Sequence, residues 1–242
     1  PTTTAITEGT VPSVTSLSIT TVTATVSQYG RIITGSDWLE TMAIDPLLAE
    51  TAQMLGEDAG KSIDSIVRDI LVAGSNLRYA STATSRGGVA SGMTINATEV
   101  RKCVRTLKGQ DARPIAKTNR YAAIIHSNSW YDLSADTTIT NAFLYGAQRG
   151  PENPVFRGEL GDWLGVTFIE STQAKVFTSL GQSGQDVYAT LFIGANAYGV
   201  TEVDGEALST YIKPKGSGGA TGDPIDQIWS LGWKVSLGAA IL

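Results

Sequence analysis

The sequence has one cysteine and one histidine in 242 residues. A single cysteine excludes an intramolecular disulfide framework, and one histidine leaves little for a zinc site. Charged side chains are scarce, at 17%. No apolar run approaches the roughly 18–20 residues that span a bilayer, and no charged-then-apolar stretch opens the chain. Lysine is missing from residues 1–60, where Arg31 is the only basic side chain. Basic residues number 18 against 23 acidic ones, for a net charge of −5 and a pI near 4.9. Sequence-reading nucleic-acid binders usually have a domain pI above roughly 9, so that class is disfavoured. What the chain does have is 42% hydrophobic residues, ample for a core and incompatible with a disordered tail. Its length permits one large domain or two small ones.

Residues 1–27 are about half Ser and Thr, a composition of either a mucin-like stalk or an exposed β-ribbon. Alternation favours the ribbon. Leu17 and Ile19 point to one face, and Val22, Ala24 and Val26 continue in opposite phase, with a bulge or twist expected at Thr20-Thr21. Glu8-Gly9-Thr10-Val11-Pro12 reads as a turn, and a second turn is expected near Gly35-Ser36. The segment has no core of its own and should lie against something else, such as another copy of the protein.

Asp45-Pro46 opens the strongest helix signal, with Asp45 as cap and Pro46 at the first helical position. Leu47, Leu48, Leu55, Ala59, Ile63, Ile66, Val67, Ile70 and Leu71 recur at three- and four-residue steps as one apolar stripe. Ala73-Gly74-Ser75-Asn76 supplies the stop. At ~1.5 Å per residue the helix spans on the order of 40 Å. Gly56 and Gly60 inside it mark either a close backbone approach or a slight bend. Asn96 with Glu99 resembles a capping box for a helix with Val100, Cys103, Val104 and Leu107 on its apolar face. Tyr121–Ile125 reads as a buried strand, and Asp136 as the cap of a helix carrying Ile139, Phe143 and Leu144. Strands are expected over 164–169, 187–193, 208–212 and 233–241. The order of elements is an α+β pattern.

No chemical motif rises above background. His126 beside Ser127 invites a nucleophile-and-base reading, but adjacent strand residues face opposite ways and no positioned carboxylate can be identified. Cys103 on an apolar helix face is a small hydrophobe. The glycine-rich run from Lys215 to Asp223 lacks the lysine that follows the last glycine of a phosphate loop, and Asp223 would repel phosphate. Asn96-Ala97-Thr98 is formally a glycosylation sequon but coincides with the helix cap. Asp132, Asp136, Glu159 and Asp162 match no calcium loop. Trp229 and Trp233, four apart without flanking cations, suit core filling better than base stacking. No catalytic, cofactor-binding or metal residue is assigned.

Taken in order, these pieces resemble the tailed-bacteriophage major capsid proteins with the Hong Kong-type shell fold, and within them the N-four-type subgroup. The resemblance is carried by the Thr-rich stretch from Ile6-Thr7-Glu8-Gly9 to Val26-Ser27-Gln28-Tyr29-Gly30, followed by the long helix. It continues through Tyr131-Asp132-Leu133, Gly158-Glu159-Leu160-Gly161, Gly165-Val166-Thr167-Phe168-Ile169-Glu170 and Ala197-Tyr198-Gly199. Asp223-Pro224-Ile225-Asp226-Gln227 leads to Gly232-Trp233-Lys234 and an apolar end at Leu242. The resemblance covers nearly the whole chain.

The resemblance implies an E-loop ribbon at 1–35 that reaches across a neighbouring subunit, and a peripheral domain at 36–95 whose spine helix is 46–73. It further implies an axial domain at 96–228 and a return strand to the peripheral domain at 229–242. Because the family carries an arm upstream of the ribbon, Pro1 is expected to be an internal point. The expected subunit-interface residues are Glu8, Pro12, Leu17, Ile19, Val22, Val26 and Arg31. The expected spine core is Leu55, Ile63, Ile66 and Ile70. The implied role is a structural shell protein that self-assembles into an icosahedral container for double-stranded phage DNA, located in the virion and assembled in the host cytoplasm. Its partners would be other copies in capsomers, DNA held without sequence reading and a decoration protein, with no membrane. Two other readings remain: an encapsulin-like nanocompartment on the same fold, and a secreted β-rich adhesin with a Ser/Thr stalk.

Overall fold

The computed structural model describes residues 5, 8–9, 11, 16, 18–43, 47–146, 162–203, 208–216, 222–223, 225 and 227–242. Two sheets, each with its own helices and core, organise these residues.

The first sheet is built on β10 (Ile228–Ile241), whose sequence alternates without a break. Trp229, Leu231, Trp233, Val235 and Leu237 are buried on one face, and Ser230, Gly232, Lys234, Ser236 and Gly238 occupy the other. That period of two sets a large apolar face against α2 and leaves small or polar residues on the opposite one. β1 (Ser27–Ser36) pairs antiparallel with β10 along its full length, from Ser27 opposite Leu237 to Ser36 opposite Ile228. On the other side of β10 lie β8 (Tyr198–Glu202) and β9 (Ser209–Lys213), also antiparallel. Across the apolar face runs α2 (Leu47–Val72), at ~1.5 Å per residue a rod of roughly 39 Å. Leu55 and Ala59 are buried against β10, and Leu47, Leu48, Ile63, Ile66 and Val67 pack beside them. Ile70 is half-buried beyond that cluster. The expected caps Asp45 and Pro46 lie outside the described residues.

Several expectations need correction. No turn occurs at Gly35-Ser36: β1 runs straight through them and Ser36 instead caps the short helix α1 (Asp37–Met42), accepting a hydrogen bond from Leu39 N at 3.3 Å. Glycine is needed at position 35 because the indole of Trp229 occupies the space of a side chain. The regular strand lies at 27–36 rather than over the alternating stretch before it. Residues 18–26 adopt no strand within the chain, because β10 gives its pairing edge to 27–36. β8 and β9, far along the chain from β1, belong to the same sheet.

The second sheet has the order β3-β4-β2-β7, from β3 (Asp162–Trp163), β4 (Val166–Glu170), β2 (Tyr121–Ile125) and β7 (Leu191–Ile193). β2 and β4 are parallel and the other pairs antiparallel. Three helices, α3 (Ala97–Gly109), α4 (Ser127–Ser134) and α5 (Thr137–Gly146), supply Val100, Val104, Leu133 and Ile139 to a core closed by Tyr121, Ala123, Ile125, Val166 and Phe168. The side chains of Phe143 and Leu144 are outside the described set. The stretch 187–193, expected as one strand, is two. β6 (Val187–Tyr188) pairs with β5 (Val176–Phe177) in a separate ribbon, and β7 joins the larger sheet.

Candidate functional site

The chemical candidates are structural. His126 caps α4: its Nδ1 accepts from Asn128 N at 3.1 Å, and its ring lies 4.8 Å from that of Tyr188. Among the described residues no carboxylate bonds that ring. A base whose lone pair is occupied by a helix amide is not poised to activate Ser127. Burial pushes the Cys103 thiol up, away from thiolate chemistry. Asp223 accepts from Ile228 N at 2.6 Å, so its carboxylate starts β10 rather than meeting a ligand. Residues 217–221 of the glycine-rich run lie outside the described residues. Among the described residues no three His, Cys, Asp or Glu side chains group as a metal site, and no helix is long and apolar enough to cross a membrane.

Polar contacts instead tie the elements together. Asp58 on α2 accepts from Arg31 at 2.6 Å and from Trp233 Nε1 at 3.1 Å, joining α2 to both β1 and β10. At the far end of α2, Arg68 donates to the carbonyl of Gln173, and Asp69 pairs with Arg68 and, at 3.1 Å, with Lys175. Burial pulls the Asp69 pKa upward, but its hydrogen bonds with Arg68 and Lys175 outweigh that and leave it lowered. Buried Glu99 behaves alike, held down by Lys102 at 2.7 Å and Arg78 at 3.2 Å against the same desolvation. The Asn96 cap forms as expected, accepting from Glu99 N at 2.9 Å, but the Glu99 side chain turns to these cations and does not close the box. The middle of α2 is thus tied to the β10 sheet, and its C-terminal end to the loop that follows β4.

The remaining feature is unsatisfied apolar surface. Ile19 is 78% exposed and Val22 52% exposed in a stretch with no strand partner among the described residues. Val26 is half-buried, and Gly238 leaves room for it, since a side chain there would meet Thr25 O and Val26 Cγ2. Glu8 is exposed in a turn with Gly9; Pro12 and Leu17 lie outside the described residues. Arg31, expected at an interface, is bound to Asp58 in its own subunit. The sequence reading missed α1, where Trp38 is 70% exposed and Met42 65%. The Trp-Leu-x-x-Met spacing that puts them on one short helix was the available signal. The chain therefore has no reaction centre on its described surface. It has two sheets with separate buried cores and an uncovered apolar stretch at 18–26.

This combination suits a part that is completed by other copies of itself, and the comparisons agree. The family model described as phage capsid protein matches residues 19–242. The chain belongs to that family. It is a structural major capsid component with the Hong Kong-type shell fold, and not an enzyme. The capsid asymmetric unit of cyanophage Pam1 is similar at 13% identity and a TM-score of 0.67, covering 90% of this chain and 71% of that one. The capsid of Ralstonia phage GP4 is similar at 15% identity and a TM-score of 0.66, covering 90% and 70%. The holo encapsulin complex of Synechococcus elongatus PCC 7942 is a more distant likeness, at 10% identity and a TM-score of 0.51, covering 90% and 70%. No curated protein matches the sequence.

Proposed function

We propose that the chain is the subunit of an icosahedral phage shell of the N-four-type subgroup, assembled in the host cytoplasm around double-stranded DNA. One observation carries the reading of how it assembles. Residues 18–26 hold exposed apolar side chains and have no strand partner among the described residues, while the body behind them keeps two buried cores. Such a segment buries its surface by lying on a neighbouring subunit, with backbone pairing to set the register. Contacts between unlike patches, repeated by rotation, close into rings, the geometry of pentamers and hexamers. In this reading the E-loop ends near Val26, the peripheral domain is α2 with the β10 sheet, and the axial domain is the β2 sheet with its three helices. A decoration protein would bind outside the shell.

Negative-stain imaging of the expressed chain tests the reading directly. Closed shells are expected. Replacing Ile19 and Val22 with aspartate should leave a folded subunit, since neither side chain is buried within it, and abolish the shells. Normal shells from that variant would refute the role given to 18–26. Protein cargo in place of nuclease-protected DNA in native particles would favour the nanocompartment instead.

A further inference from the structure

Net acidity conceals a concentrated basic segment. The 20 residues from Arg101 to Arg120 hold seven of the 18 basic residues and one of the 23 acidic ones, so the segment is +6 in a chain of −5. The fold collects these charges on one side of α3 and on the loop that follows. Arg101, Arg105 and Lys108 fall at i, i+4 and i+7, on one flank of the helix, and all three are exposed. Along the axis they span roughly 10 Å. The chain then turns through the loop 110–120, where Arg113 and Lys117 are exposed too. That loop is held in place: Tyr121 Oη donates to Ala112 O at 2.8 Å, Ala195 N to Arg113 O at 2.7 Å, and Ile115 N to Arg120 O at 2.9 Å.

Among the described residues, no carboxylate forms an ion pair with Arg105, Lys108, Arg113 or Lys117, whereas Lys102 is held by Glu99. Arg101 lies over the Trp163 ring at 5.9 Å, which steadies the guanidinium. The patch also lacks what a protein partner would need. Every large apolar residue from 97 to 120 is at least partly buried, and the Trp163 ring beside Arg101 is itself half-buried, so α3 and its loop present no fully exposed aromatic or aliphatic anchor. Protein interfaces draw most of their affinity from desolvated apolar or aromatic hot spots, whereas binding to a polyphosphate needs only positioned cations and hydrogen-bond donors. Exposed Gln110, Thr118 and Asn119 supply such donors.

We propose that the α3 flank and the loop 110–120 form the surface through which each subunit meets the phosphate backbone of duplex DNA. The inference rests on the reading of the chain as a DNA container and adds which face looks inward. Contact is weak per subunit and independent of sequence, and the many copies of a shell multiply it. The acidic remainder of the chain repels the duplex, so DNA is held at this patch without spreading over the protein.

Fluorescence anisotropy of a labelled mixed-sequence duplex of about 30 base pairs, with the full unassembled chain, tests the proposal. Three to five phosphate contacts predict that affinity falls about 40- to 500-fold between about 50 and 200 mM salt. Arg101→Glu/Arg105→Glu/Lys108→Glu should weaken binding at least about 50-fold and flatten the salt slope by nearly three. The control Lys61→Glu/Lys213→Glu/Lys215→Glu, with the same net charge, should lose no more than about threefold. Arg105→Gln/Lys108→Gln, with far-UV circular dichroism to confirm folding, should give an intermediate loss. Equal losses in the two triple variants would overturn the proposal, as would tighter binding of an oligoglutamate than of the duplex. Closed shells from a chain with no affinity for duplex would overturn this inference alone; absence of shells would instead count against the capsid reading.

Discussion

Alanine at position 35 would place a methyl carbon 2.5 Å from Cε2 of Trp229, 2.9 Å from its Nε1 and closer still to Cζ2. Non-bonded carbons settle at roughly 3.5–4.0 Å, so a gap of about 1 Å must open. The indole cannot provide it. Trp229 is 2% exposed, and its cluster includes Leu231, Trp233 and Leu55. The strand must move instead, and among the described residues β1 has only β10 as a partner. Relief comes most easily by peeling its last residues, Thr34 to Ser36, from Ser230, Trp229 and Ile228, which also displaces the Ser36 cap of α1. Overpacking of this kind costs about 1–3 kcal/mol, and each lost ladder hydrogen bond about 1 kcal/mol more. Restricting the unfolded chain returns less than about 1 kcal/mol. The expected net loss for Gly35→Ala is about 3 kcal/mol, a fall in melting temperature of roughly 6–12 °C for a chain of this size.

The matched control is Gly56→Ala. That glycine sits inside α2 with nothing within 4 Å of an added side chain, so no close approach by the described residues accounts for it. Alanine there should raise stability by about 1 kcal/mol, a gain of roughly 2–4 °C. Thermal unfolding of the unassembled subunit, followed by circular dichroism, reads both. A Gly35→Ala melting temperature within about 1 °C of the parent would refute the packing argument.

Ile66→Asp places a carboxylate in the cluster between α2 and β10 and should cost about 3–5 kcal/mol; soluble protein with unchanged melting would mean that this face of the helix is not covered. Asp136 accepts from Ala97 N at 2.9 Å and Thr138 N at 2.8 Å, and these amides, Ala97 first, hold its pKa below the usual carboxylate value. A folded pKa below the unfolded one stabilises above the unfolded value and is lost as pH falls through the folded value, so acid titration of Asp136→Asn should show a shallower loss of stability across that window than the parent. An identical acid profile in the variant would refute the assignment. Because residues 1–60 offer no lysine, mature particles boiled in detergent with reductant should release single-subunit bands; a ladder of covalent pentamers and hexamers would overturn that expectation.

Much of this protein is visible in local sequence. The stripe of α2, the unbroken alternation of β10, the Asn96 cap and the buried run Tyr121–Ile125 each follow from neighbours within a few residues, because periodicity alone decides which face is apolar. The exposed apolar positions at Ile19 and Val22 are legible for the same reason: they alternate, but nothing nearby can cover them. The basic segment at 101–120 is also present as a simple charge count, although only the fold places Arg101, Arg105 and Lys108 on one flank of a helix and fastens the loop beside them.

Pairing is another matter. Gly35 looks like a turn in sequence, and only contact with a tryptophan 194 positions away makes it a strand residue that must lack a side chain. Residues 187–193 look like one strand, yet their two halves find different partners. Asp136 reads as the cap of α5, and only the packing of α3 beside it adds the Ala97 amide. A strand's alternation says that it needs a partner but carries no information about which one. Register and partner are set by cores and edges built from distant segments, so tertiary structure alone could assign β1, β8 and β9 to the same sheet as β10.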